Sequence, residues 1–299
     1  MSDDLLSPVS PRNPAQQIHA DPPKVNIQQV QEQEIKYIEG AELVPLPSKG
    51  VFYNYDQRYI NLESLQVRQL NYTDEDILTT KSYFDNGTLF NELLKNVIVD
   101  PNGFPADGLV PVDRETILIW LRSTAFGNDF EIEYKCSQCG ALYPVTWDLG
   151  KLSIPEYPEE IYGELSKFGE LTIETPIKRL KVKITVPSIG KSLKMEKALS
   201  QKKLANKTTQ DYFGTGALRL LVSGVEVENN KVLRKGDEIM NYFTKVGLPI
   251  SDARYIRKMS EKINLKYDTK QTVVCPACSH SEEGVEMPLL HPNFLWAGA

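Results

Sequence analysis

The chain has 299 residues, and 34 Lys+Arg against 40 Asp+Glu leave a formal charge of −6, which argues against a uniformly basic nucleic-acid binder. With 41% hydrophobic and 25% charged residues, the composition is that of an ordinary soluble globular protein of one or two domains, not of a collagen, a coiled coil or a fully disordered chain. Three histidines, His19, His280 and His291, are too few for a histidine triad or a multi-histidine metal site. No run approaches the ~18–20 apolar residues of a membrane span, and Met1-Ser2-Asp3-Asp4 lacks the cationic and apolar parts of a secretion signal, so a chain made and kept in the cytosol is expected.

Residues 1–38 combine five prolines (Pro8, Pro11, Pro14, Pro22, Pro23) with a set of glutamines and almost no aromatic residue, and they read as an extended or disordered arm without a core of its own. Globular patterning begins near Glu39. Leu43 to Tyr53 is extended, punctuated by prolines and turned at Ser48-Lys49-Gly50, and Leu65 to Leu70 alternates as a half-buried strand. Thr73 with Asp76 predicts a capping box on a short helix, with Asp74, Glu75 and Asp76 in its first turn, and Leu89, Leu93, Leu94 and Val97 predict a helix from Thr88 to Val97. Asp113 is read as the N-cap of a helix that carries Ile117, Leu118 and Leu121 and stops at Gly127. Two strands, Phe130–Tyr134 and Leu142–Trp147, then flank Cys136-Ser137-Gln138-Cys139-Gly140 as a hairpin with a cysteine knuckle at its tip.

From about 151 to 265 the pattern becomes mainly helical. Helices are predicted near 188–203, 211–222, 237–246 and 251–264, the last capped by Ser251 or Asp252. One hairpin joins Leu171–Glu174 to Val182–Val186, and another runs from Val225 to Leu233 with its turn at Asn229-Asn230. The strand, knuckle, strand layout then returns in Thr272–Val274, Cys275-Pro276-Ala277-Cys278 and Val285–Met287.

All four cysteines fall in two C-x-x-C pairs, Cys136/Cys139 and Cys275/Cys278. A knuckle at a hairpin tip points two sulfurs at one spot, and two knuckles complete the tetrahedral Cys₄ shell that Zn²⁺ prefers. A cytosolic chain would keep disulfides reduced, and a thioredoxin-type redox pair sits before a helix, whereas both pairs here lie between strands. Structural zinc is therefore the favoured reading, with a free dithiol pair and redox chemistry as alternatives. Residues 140–274 separate the pairs, far more than the ~15–20 of an ordinary ribbon, so residues 151–265 are expected to be a domain inserted into the ribbon. The expected fold is α+β, with a discontinuous zinc-ribbon domain (39–150 plus 266–299), the mainly helical insertion and the N-terminal arm.

Residues 178–207 hold ten Lys and Arg against Glu196 alone, a local charge of +9, so the remainder carries −15. A solvated face, a docking face for an acidic protein and a nucleic-acid footprint are the readings of this stretch, and its lack of aromatic interleaving weighs against the last. Phe213-Gly214-Thr215-Gly216 is not followed by the Gly-Lys-Ser/Thr of a phosphate loop, and no serine elbow or H-E-x-x-H occurs, so nothing supports an enzyme.

Taken in order, Leu46–Tyr53, Thr73–Leu78, Asn91–Asn96, Asp113-Arg114 with Leu121-Arg122, Phe126–Phe130, the first knuckle, Leu248-Pro249 with Asp252–Arg257, the second knuckle and Phe294 resemble the T4-type bacteriophage baseplate hub protein family, zinc-ribbon proteins of contractile tails. The resemblance spans roughly residues 40–299. It implies a structural protein or assembly factor of the virion's tail baseplate, made in the host cytoplasm and acting without catalysis or membrane contact. The partners it implies are other baseplate and tail-hub proteins and further copies of the chain around the tail axis. Ser48-Lys49-Gly50 and the Asp252/Arg254/Arg257 helix are then either contact residues or fold determinants.

Overall fold

Val44, Leu65 and Val67 alternate with polar neighbours, and this pattern pairs β1 (Ala41–Pro45) antiparallel with β2 (Ser64–Arg68), Val44 opposite Leu65. This computed structural model describes residues 39–205, 213–227 and 231–295, so the arm and the turn expected at Asn229-Asn230 lie outside the described residues. Between β1 and β2 the chain doubles back through Lys49 and Gly50, both at positive φ. Gly50 is required there, because a Cβ would sit 2.2 Å from the Leu62 carbonyl oxygen. Tyr53, Tyr59 and Phe104 fill the space below in edge-to-face contacts at 4.8 and 5.0 Å.

Three helices follow, α1 (Asp74–Thr79), α2 (Lys81–Asp85) and α3 (Leu89–Val97), and then the long α4 (Pro111–Phe126). Two expected caps are replaced by something else. Thr73 has helical backbone angles and its hydroxyl donates to Asn71, while the buried Asp74 accepts from Arg68, the Asn71 amide and Asn96. Asp113 is the third residue of α4 rather than its cap, because Pro111, with φ already fixed, takes the first helical position. The Asp113 carboxylate reaches back to the β1–β2 loop, accepting from the Ser48 amide at 3.0 Å, the Ser48 hydroxyl at 2.5 Å and the Tyr53 hydroxyl at 2.6 Å. Tyr53 in turn accepts from the Val110 amide at 3.0 Å. Every donor in this buried node is satisfied, which is the condition for placing a carboxylate there.

A hairpin, β3 (Asp129–Lys135) and β4 (Leu142–Asp148), carries the first cysteine pair. Beyond it Pro158 introduces α5 (Glu159–Phe168), a helix the proline-rich sequence conceals, which ends on Gly169 at φ 65°. The two hairpins expected next are parts of one antiparallel sheet, in the order β5 (Leu171–Glu174), β6 (Lys181–Ile184), β7 (Val222–Val227), β8 (Lys231–Leu233). Pairing of Val182 with Val225 joins them across α6 (Ile189–Ala205) and α7 (Phe213–Leu221), so this segment combines its helices with one four-stranded sheet rather than two separate hairpins. Helices α8 (Gly236–Val246) and α9 (Ile250–Ile263) complete it, and β9 (Lys270–Val274) with β10 (Ser281–Glu286) forms the last hairpin. Neither Ser251 nor Asp252 caps α9, since Pro249 holds that position. Asp252, fully buried, instead accepts from the Ile177 and Lys178 amides at 2.9 Å and pins the β5–β6 loop.

Candidate metal centre

The β3–β4 and β9–β10 hairpins present the same turn. In the first, the Cys136 amide donates to Ala141 and the Gly140 amide to Cys136; in the second, the Cys275 amide donates to His280 and the Ser279 amide to Cys275. Gly140 and Ser279 occupy the equivalent left-handed position, at φ 74° and 58°. Each turn buries its first cysteine and leaves the second exposed.

The two hairpins are held tip to tip by contacts along their length. The Trp147 indole donates to the Thr269 carbonyl at 3.1 Å, Gln271 donates to Thr146, and Ser137 donates to Glu282 at 2.9 Å. Just behind them, Ser153 and Asp268 form an isolated antiparallel bridge, with the Asp268 amide 2.8 Å from the Ser153 carbonyl. Strand alternation in the sequence predicts that Trp147 is buried, but nothing local to it indicates Thr269 as its partner.

All four predicted ligands come together, their sulfurs within 4.8 Å of one another, and among the described residues they form the only group of three or more His, Cys, Asp or Glu that could hold a metal ion. The cross-hairpin separations are 3.8 Å for Cys136–Cys278 and 3.7 Å for Cys139–Cys275. A tetrahedron with metal–sulfur bonds of about 2.3 Å has edges of about 3.8 Å, so the donor set and its spacing fit a four-thiolate shell. The Cys139 and Gln138 amides aimed at Cys136 bring its thiol down to about 6. The His280 amide lowers Cys278, yet loss of water around the clustered thiols and the three other sulfurs push it up to about 12. Sulfurs packed this closely resist joint ionisation unless a cation sits among them.

The basic stretch does not act as one patch. Arg179 pairs with Glu174, and Lys181 and Lys183 share Glu226, which offsets part of the charge of its strand half. Lys191, Lys194 and Lys197 stand on α6, and the side chains of Lys202, Lys203 and Lys207 lie outside the described residues. Gly214-Thr215-Gly216 is helical, and Gly216 lets α7 approach Leu199 of α6, where a Cβ would come within 2.8 Å of a Leu199 methyl. No helix among the described residues is long and apolar enough to cross a membrane.

Residues 53–291 match the family model described as T4 bacteriophage base plate protein. A search of curated proteins found no match, and a search of solved structures found none either.

Proposed function

Because the chain belongs to the T4 bacteriophage base plate protein family, we propose that it is a structural component or assembly factor of the baseplate hub of a contractile phage tail. It works by contact with other baseplate proteins and without catalysis. Cys136, Cys139, Cys275 and Cys278 hold one Zn²⁺, and four thiolates leave the ion no open position for water, so the metal is structural. In this reading residues 39–150 and 266–299 form a root closed by the metal, residues 151–265 are an insertion presented by that root, and residues 1–38 reach a neighbouring subunit.

The observation that carries the proposal is the match over residues 53–291, which contains both cysteine pairs. The sulfur geometry adds to it, because a ribbon closed from distant segments serves to fix a scaffold. The test is a phage with an early stop codon in this gene. Heads without completed baseplates are expected, with rescue by the wild-type chain supplied in trans. Contractile tails of normal form assembled without the protein would contradict the assignment.

A further inference from the structure

Helices α6, α7, α8 and α9 together with β7 enclose a groove of about 1270 Å³. That exceeds the ~300–1,000 Å³ typical of small-molecule sites, and the groove has the scale of a polypeptide segment. Its apolar lining includes Met195, Ala198, Leu199, Met240, Leu248 and Ile250, and Ile250 is 73% exposed. Unbranched methionines on both walls can repack around a side chain that enters.

Among the described residues, the charged side chains that line the groove are all basic, but they are in two states. Arg219 is paired with Asp237 and Arg234 with Glu170. Lys191 and Lys194, one helical turn apart on α6, also line the groove, yet neither ammonium group has an ion-pair partner among the described residues. Lys197, a further turn along, also has no ion-pair partner among the described residues, but it is not one of the residues that line the groove. The strand half of the basic stretch is offset in part by Glu174 and Glu226, whereas Lys191 and Lys194 carry uncompensated charge where the apolar groove opens.

We propose that this groove docks an acidic amphipathic segment of a partner protein, its apolar side chains between Met195 and Met240 and its carboxylates on Lys191 and Lys194. An apolar stripe flanked by charge is how a helix is received in a groove, and the lysines select the sign of the occupant. A nucleic acid would want stacking surfaces, whereas Phe243, the one aromatic side chain among the described lining residues, is buried. The inference rests on the reading that the chain acts by protein contact, but it does not depend on the metal.

The test uses the purified full chain and a fluorescent helical peptide of about 16 residues, roughly 24 Å long, with leucines on one face and glutamates on the other. The probe is compared with the same peptide carrying lysines, with a single-stranded oligonucleotide and with a second copy of the chain. Saturable binding of the glutamate peptide is expected. It should weaken about tenfold in Lys191→Glu/Lys194→Glu and be lost in Ala198→Trp, which fills the groove from an exposed position. No binding, equal binding of the lysine peptide, retention in Ala198→Trp, tighter binding of the oligonucleotide, or self-association that the same variants abolish would each overturn the proposal. Failure here would leave the stop-codon phenotype unchanged, so the docking site and the baseplate assignment are tested separately.

Discussion

Gly50 and Ser279 both hold left-handed backbone, and they predict opposite responses to substitution. At Gly50 a methyl would strike the Leu62 carbonyl, so Gly50→Ala should destabilise the chain by at least about 2 kcal/mol in denaturant titration. At Ser279 the second knuckle carries a Cβ where the first has Gly140, so Ser279→Gly should raise stability by about 1 kcal/mol while leaving metal content unchanged. Asp74 carries a pH signature. Burial pushes its carboxyl up, but Arg68, the Asn71 amide and Asn96 outweigh that and hold it below the usual carboxylate range. A carboxyl lowered on folding contributes stability that is present above its unfolded value near 4 and lost as pH falls through the lowered value. Asp74→Asn should therefore flatten the acid limb of the stability profile below about pH 4, and a limb identical to wild type would show that the ion pair with Arg68 is not what stabilises the site. At this scale the sequence misled about function more than about position. Thr73, Asp113 and Asp252 all looked like caps because that is the commonest use of such residues at helix starts; Thr73 bonds instead to its neighbour Asn71, and for Asp113 and Asp252 only long-range partners reveal the other use.

Among the elements, α4 and α9 repeat one device. Each has a proline at its start, Pro111 as the first residue of α4 and Pro249 as the cap of α9, and the aspartate at its third position reaches away from the helix to backbone amides of a distant loop, Asp113 to Ser48 and Asp252 to Ile177 and Lys178. Removing such a carboxylate leaves these backbone donors without their partner, each worth about 1–3 kcal/mol. Asp252→Ala should thus lower stability by about 2–4 kcal/mol and speed hydrogen exchange at the Ile177 and Lys178 amides before it affects the ribbon. Protection at those two amides equal to wild type would contradict the anchoring role. Most element positions could be read from the chain, since apolar periodicity is a local property: α3, α8, α9 and the four ribbon strands fall within a few residues of expectation. Helix α5 was hidden behind Pro155 and Pro158, although Pro158 is the residue that starts it. The joining of two hairpins into one sheet could not be read at all, because β6 and β7 are separated in sequence by α6 and α7 and their pairing leaves no local trace.

At the scale of the whole molecule, the chain is organised by a contact between segments far apart in sequence. The Ser153–Asp268 bridge, the Trp147–Thr269 hydrogen bond and the sulfur cluster bring the two ends of residues 151–265 together. The cysteines made that legible beforehand, since two C-x-x-C pairs with no cysteine left over have few chemical uses, and the most economical of them requires the pairs to meet. The groove on the helical face was not legible, because only the folded chain shows that Glu174 and Glu226 offset part of the strand half of the basic stretch while Lys191 and Lys194 stand unpaired among the described residues at the groove. Closing so long a loop costs entropy that grows slowly with length, and a structural Zn²⁺ can supply on the order of 10 kcal/mol toward it. The central claim, that one metal ion closes the root of the molecule, is tested most directly by native mass spectrometry of the purified full chain beside Cys275→Ser. One zinc per wild-type chain and loss of the ion in the variant are predicted; a folded wild-type chain with no metal, or with a disulfide in its place, would contradict the account.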